Sequence, residues 1–548
     1  MSLSFSIIRI VFCISLYLIS VNSQLIVDPE NYRYFRYRNK TVALVGSTEH
    51  YGAILNLDFD YITYLDTIQQ NQLHLVRTWT GAIYREDIHD FDIRRNTLAP
   101  NSGRYLAPWA IEPNSCCYNN TPGIPLYNFS AGWNTTYWTR LEDFIYQAQK
   151  RQIIINLGLY SNFYGDDSVQ WQLSPINPKN NVNNIGNTVK KANDVFILGM
   201  HPDIVNLLDS YLIQLLTITS KYDNLYFEII NELWTAPYYP QGLVYRPWVD
   251  HTINLIKQYD NNAHMITENY GIMALRMIEL NRNTSFYTFH DTMLDTLLIN
   301  EDPVTNQRYI QKPLGTGETG FTGDPLNPNL YFTSDDTYRT EGYITMFSGS
   351  VTYNNLDYSF STLYPNGTDY PIPTYVPGGG GVNLRTSLGA LQSILNGLPL
   401  QYLNPIRNLV TGMQSDGRPQ YIYQYGTIGN ITENLGIFAM YVTSAWWANG
   451  TVNGSFTVAF DTTTTNPNTA NMNWTISFLN PVDGTVLGPM QTLTSDQWNR
   501  LSIRSANFVR DIVIVGVRSD SEEYFDYNPL EKRSWNIPSE PFEEWKKI

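Results

Sequence analysis

Apolar and polar positions alternate in two regimes along the chain. In the first, short apolar and β-branched runs recur near 42–46, 73–79, 152–159, 225–231, 264–268, 286–290, 312–317 and 344–353, each with the length of a strand. Between them lie stretches of helical period, clearest at 137–150, 203–219 and 246–258, and a further helix is predicted over 384–396 to complete the unit. Strands alternating with helices in this way predict an α/β fold, a (β/α)8 TIM barrel. From about residue 420 the period shortens to two, as in 455–462, 473–480, 500–505 and 511–518, with Asn, Thr, Gly and Pro between the runs. That pattern predicts a smaller C-terminal β-sandwich. The expected division is a signal peptide over 1–23, the barrel over 24–410, the sandwich over 411–530 and a tail over 531–548. Two long excursions, Thr80 to Thr136 and Ser161 to Asp203, follow strands and so belong to the barrel face where loops carry function.

Two glutamates close strand-like runs: Glu232 ends NLYFEIINEL and Glu318 lies near the end of KPLGTGETGF. A carboxylate at a strand's C-terminal mouth is a common solvated strand end, but it is also where barrel enzymes keep their reacting groups. Two of them on one rigid sheet suit cleavage of a glycosidic bond. One acid protonates the departing oxygen while one carboxylate, roughly 5–5.5 Å away, attacks the anomeric carbon. Asn231 places a neutral amide beside Glu232, suited to a sugar hydroxyl. Gly315, Gly317 and Gly320 flank Glu318 and are expected to let backbone and substrate approach. Glu232 is expected in an apolar wall that keeps its proton, and Glu318 near a cation that keeps it ionised.

Asn231-Glu232 after an apolar run, Glu318 in a Gly-rich strand end and Arg77 in LHLVRTW resemble the fourth, seventh and second strands of the clan A glycoside hydrolases, the group that includes family 5. The resemblance implies a retaining mechanism with Glu232 as acid/base and Glu318 as nucleophile. EHYGAILN (49–56), RTWTGAIYRED (77–87), NNVNNIG (180–186), NNLDYSF (354–360) and PGGGG (377–381) are similar to a set of cellulase-like secreted proteins, and the similarity runs from about 40 to about 405. The chain also departs from family 5. The third strand carries Asn156 and Tyr160 but no His, the sixth has Thr292 where the family's His-x-Tyr has Tyr, and the eighth offers Tyr353 and Asn354 in place of Trp. The lining of the sugar subsites is therefore expected to be its own.

Composition narrows the classes. At 548 residues with 43% hydrophobic and 16% charged residues, the chain is globular and long enough for a barrel and a companion. A net charge of −15 opposes nucleic acid and anionic membrane as partners. No HExxH, dinucleotide fingerprint or P-loop is present, so no cofactor and no metal are expected. Arg9, an apolar run through Val21 and Val21-Asn22-Ser23 before Gln24 predict a cleaved signal peptide. The expectation is a secreted monomer, or one in an endomembrane lumen, that acts on poly- or oligosaccharide without a membrane anchor. Ten sequons, at Asn39, Asn119, Asn128, Asn134, Asn283, Asn366, Asn430, Asn449, Asn453 and Asn473, agree with export, and their clustering at 119–134 and 430–473 predicts exposed loops there. Cys116 and Cys117 are adjacent, which leaves a vicinal disulfide, two thiols or an intermolecular bond equally open.

With 13 Trp and 40 Tyr, most aromatics are packing residues. Trp79 and Trp234, just past strand ends, are the best placed to stack on a sugar face; Tyr84, Trp109, Trp133, Tyr164 and Trp171 lie in the two long loops. His290, at the sixth strand's mouth, is either a structural histidine or one that orients Glu318 or a sugar hydroxyl. Arg77 is either a core ion pair or the cation that holds Glu318 ionised. His50 and Tyr51 after the first strand and Asn269 after the fifth are further supporting candidates. The sandwich either binds carbohydrate or packs on barrel helices. The alternative to an enzyme is a non-catalytic carbohydrate-binding glycoprotein on an inactive barrel.

Overall fold

The computed structural model describes residues 24–112, 126–232, 244–260, 264–271, 281–290, 311–319, 335–369, 379–406, 409–415, 422–431, 435–444, 451–459 and 470–521. The signal-like segment, Trp234, Thr292, Gly320 and the Cys116–Cys117 pair lie outside them. Eight parallel strands close into one barrel: β1 (Leu44–Thr48), β2 (Leu75–Trp79), β3 (Ile154–Ser161), β4 (Leu225–Asn231), β5 (Ile266–Gly271), β6 (Phe286–His290), β7 (Leu314–Thr319) and β8 (Thr352–Leu356), with β8 paired back to β1. The fold is a (β/α)8 barrel with a smaller β-sandwich after it, as the periodicity predicts.

Six long helices are described: α1 (Tyr61–Gln70), α2 (Thr135–Lys150), α3 (Pro202–Thr219), α4 (Arg246–Tyr259), α5 (Asp335–Phe347) and α6 (Val382–Asn396). α2 shows why these stretches are helical. The Asn134 side chain accepts from the amide of Thr136 and caps the helix, and Tyr137, Leu141, Phe144, Ile145 and Ala148 form one buried stripe at helical spacing. In α3, Pro202 occupies the first turn, where no partner for its missing N–H is needed.

Two expectations are corrected. The run 344–353 is not a strand: Ile344 to Phe347 end α5, and β8 begins at Thr352. From Thr337 to Phe347 every residue of α5 is buried, because the barrel lies on one side of the helix and the sandwich on the other. The apolar end of the helix, Ile344 to Phe347, runs on toward β8 with only small residues between and so reads as one strand. The run 42–46 also begins too early. Lys40–Val42 belongs to a three-stranded antiparallel sheet with Ile26–Val27 and Phe35–Tyr37. The Phe35 ring meets Phe286 edge-on at 4.8 Å and Tyr226 at 6.2 Å, so this sheet closes the end of the barrel where the strands begin.

The C-terminal unit has a six-stranded sheet, β9 (Asn404–Pro405), β11 (Ile422–Ile431), β12 (Gly436–Ser444), β17 (Asp511–Arg518), β14 (Asn473–Leu479) and β15 (Gln491–Thr494) in spatial order. A three-stranded sheet of β10 (Val410–Ser415), β13 (Thr451–Ala459) and β16 (Arg500–Val509) faces it. Phe438, Met440, Trp474, Ile476, Ile512 and Ile514 of the large sheet and Leu501, Ile503 and Phe508 of the small one make the core between them. The alternate residues Ile437, Ala439, Tyr441, Val513 and Val515 join the barrel's core instead. Both faces of the large sheet are thus covered. Tyr441 stacks on Tyr343 of α5 at 4.9 Å, and the Ser387 hydroxyl of α6 donates to the Val482 carbonyl at 3.0 Å. The sequons at Asn430, Asn453 and Asn473 lie on strands and not in loops, and the Asn430 amide donates to the Tyr402 carbonyl. Among the described residues no helix is long and apolar enough to cross a membrane.

Candidate active site

At the C-terminal mouth of the barrel the two glutamates meet one histidine. His290 ends β6 and pairs in register with Glu318 of β7. Its Nδ1 lies 2.7 Å from Glu232 Oε1, and its Nε2 lies 3.5 Å from Glu318 Oε2. One imidazole and two contacts therefore separate the carboxylates. Glu318 is nearly buried and Glu232 keeps about a quarter of its side chain exposed, at 7% and 23%.

Arg77 of β2 organises the floor. Its guanidinium donates to Glu318, to both oxygens of Glu228 on β4, to the Tyr51 hydroxyl at 2.7 Å and to Asn231 Oδ1 at 2.8 Å. Asn156 of β3 adds a bond to Glu228 at 2.9 Å. With every donor engaged and two carboxylates against it, Arg77 is fixed in position and its charge is locked on, since burial opposes ionisation but the carboxylates outweigh it. Asn231 is turned inward by this bond, where it positions the arginine.

Glu232 sits in different surroundings. Its second oxygen accepts from the Tyr164 hydroxyl at 2.6 Å, and its carbonyl accepts from the Asn162 amide at 3.0 Å. The backbone there is left-handed, with φ of 55°, as it is at Tyr51, with φ of 60°. A β-carbon makes this conformation costly, and such outliers gather at functional sites. The expected apolar wall around Glu232 is absent. Burial pushes its carboxyl up, but the hydrogen bonds from His290 and Tyr164 and the histidine's charge outweigh that and hold it below the usual carboxylate range. For His290 burial favours the neutral ring, yet the charge of Glu318 and the bond to Glu232 raise it above its ordinary value. Both directions oppose the expected proton on Glu232 and favour one on His290.

The remaining candidates fall into place around this centre. His50 is buried, its Nε2 is 3.0 Å from Glu86 Oε2, and its ring stacks between Tyr51 and Tyr358. Asn269 lies within β5, not after it, and is fully buried. Trp79 is covered, with 5% exposure: it packs against Tyr51 at 4.9 Å and edge-on against Tyr84 at 4.7 Å. Its place depends on Gly158 in register on β3, where a β-carbon would come within 2.5 Å of the indole. The glycines beside Glu318 serve packing as well. A β-carbon at Gly315 would collide with Thr352 and one at Gly317 would press on Asn269, so these positions are small because neighbouring strands fill the space. Of the loop aromatics, Trp109 and Tyr84 are buried, Trp133 packs against Trp138, Trp171 packs against Phe163, and Tyr164 alone of the five bonds Glu232.

Glu228 and Glu86 were not singled out from the sequence. Glu228 carried a signal: a charged residue inside an otherwise apolar parallel strand has to meet an opposite charge, and Arg77 is likewise a charge inside the apolar strand β2. Glu86 carried none, because its partners His50, Tyr84 and Asn96 assemble only when the loop folds.

No family model and no curated protein matches the chain by sequence. Solved structures do match in fold. A family 5 glycoside hydrolase from Bacteroides vulgatus superposes with a TM-score of 0.58 at 13% identity, over 93% of this chain and 97% of that one. A second Bacteroides vulgatus structure, assigned to the glycoside hydrolases, gives 0.60 at 12% identity over 91% and 83%. A third, titled a glycoside hydrolase, gives 0.56 at 13% identity over 91% and 98%. The likeness extends across barrel and sandwich together, and it is a likeness of fold. The chain shares the fold of these glycoside hydrolase structures, one of them of family 5.

Proposed function

We propose that this protein is a secreted, monomeric retaining β-glycosidase acting on poly- or oligosaccharides, with Glu318 as nucleophile and Glu232 as acid/base. The observation that carries the reading is the single imidazole of His290 held between both carboxylates while Arg77 binds only one of them. Arg77 binds Glu318 and aims it; attack on the anomeric carbon gives a glycosyl-enzyme ester. The leaving oxygen takes its proton from Glu232. In the resting site that proton is stored on His290 Nδ1, and as negative charge on Glu318 is consumed by ester formation the histidine's hold on the proton weakens and Glu232 receives it. Glu232 as base then activates the water that cleaves the ester.

The test is turnover of β-mannan, β-glucan and xylan by the secreted protein and by its E318G variant. The unsubstituted protein is expected to release reducing ends from one of the three, and the variant to be inactive until azide or formate is added. Full activity in E318G excludes Glu318 as nucleophile, and sugar binding with no turnover by the unsubstituted protein favours a non-catalytic barrel.

A further inference from the structure

The loop after β2 is fastened at two points and projects between them. At one point Glu86, 1% exposed, meets His50 at 3.0 Å and the Tyr84 hydroxyl at 2.9 Å. At the other, Arg94 and Arg95 both pair with Asp369 of the loop after β8, Arg94 at 2.8 Å. The segment 87–93 between these anchors carries Phe91, whose side chain is 43% exposed although its backbone is left-handed, with φ of 54°. For a bulky residue this conformation is a genuine outlier, and an exposed phenylalanine gains little burial to offset it. The Phe91 ring stands edge-on to Tyr164 at 5.3 Å, and Tyr164 is the residue whose hydroxyl holds Glu232.

From this geometry we infer that Phe91 is a stacking platform for the sugar ring of the leaving group. The inference rests on the glycosidase proposed above. Glu232 delivers its proton to the departing oxygen, so a ring beyond Tyr164 on the Glu232 side meets the aglycone and not the sugar bound over Glu318. A pyranose offers an apolar C–H face to such a ring, while its hydroxyl rim stays in water. The double anchoring makes the platform rigid, so binding does not have to order the loop.

The test compares F91A and F91W with the unsubstituted full-length protein on two substrate types. One is a tetrasaccharide (cellotetraose, mannotetraose or xylotetraose) that fills the leaving-group side with sugar. The other is the β-fluoride of the matching disaccharide, whose leaving group has no ring. F91A is expected to lower kcat/KM on the tetrasaccharide by about tenfold and leave the fluoride unchanged, and F91W to retain activity on both. An equal loss on both substrates, or no loss on the tetrasaccharide, overturns the platform while leaving the glycosidase intact. If the unsubstituted protein turns over neither substrate type, the glycosidase proposal fails and the platform fails with it.

Discussion

Two of the buried arginine–carboxylate networks are built to different ends. Where barrel meets sandwich, Arg339 of α5 donates to Asp511 of β17 at 2.8 and 3.2 Å, and the Tyr441 hydroxyl completes the shell at 2.9 Å. Asp511 lies wholly inside, and Asp336, the second carboxylate on Arg339, is shared with Arg510, so two charges of each sign balance. At the barrel mouth Arg77 is equally buried and also holds two carboxylates, but among the described residues no second arginine shares them, and one of them, Glu318, reaches the mouth with an imidazole beside it. Ion pairs of the first kind fix how two units dock; those of the second keep one charge in surplus, aimed outward. Burial and pairing alone do not distinguish them. The unbalanced carboxylate does.

Five substitutions break or sharpen that contrast. The largest effect is expected from E318G, which should lower kcat by about 10⁴-fold or more while thermal unfolding stays close to that of the unsubstituted protein, because Glu228 still pairs Arg77. R77M should lower kcat by about 10²-fold or more and also cost about 3–5 kcal/mol, since it strands Glu228 in the interior. Denaturant unfolding beside initial rates reads both, and an unchanged stability would show that Glu228 finds another partner. R339M should cost a similar about 3–5 kcal/mol by stranding Asp511, with kcat per folded molecule unaltered; a matching loss of kcat would mean that the interface reaches the mouth.

H290Q should shift the pH profile more than its height. The folded His290 titrates above its ordinary value, so its contribution to stability is full below about pH 6.5 and is lost as pH rises through the folded value. Glu232 titrates below its ordinary value, so its contribution is present above about pH 4.3 and is lost as pH falls. With the proton store removed, the basic limb of kcat/KM should move to lower pH; a basic limb that does not move would place the stored proton elsewhere. Y164F is the mildest, with a several-fold loss of kcat and a raised Glu232 carboxyl, visible as an acidic limb moved upward.

Much of the fold was legible in the sequence, and the exceptions share a cause. Six of the eight strand runs lie where period and turn residues put them, since parallel barrel strands are apolar on both faces, and a seventh, 42–46, overlaps β1 but begins too early. The eighth failed because the apolar end of α5, Ile344 to Phe347, runs on toward β8 and reads as one strand. At the site, Arg77, Glu232, Glu318 and His290 were legible as charged groups at strand ends. Tyr164 was one loop aromatic among several, and Trp79 ranked above it because distance from a strand end says nothing of which way a side chain packs. The small residues near Glu318 looked like room for substrate and are room for Thr352 and Asn269.

The amino-acid order by itself determined the alternation of strands and helices, the change of period that begins the sandwich and the presence of two carboxylates at strand ends. These are local properties, set by side-chain size, β-branching and the periods of two and 3.6. Only the tertiary structure decided that one imidazole lies near both carboxylates, that Asn231 serves Arg77, and that the surroundings of Glu232 oppose a proton there. Those outcomes depend on distances between strands far apart in sequence and on desolvation, which belongs to the folded interior and to no residue alone.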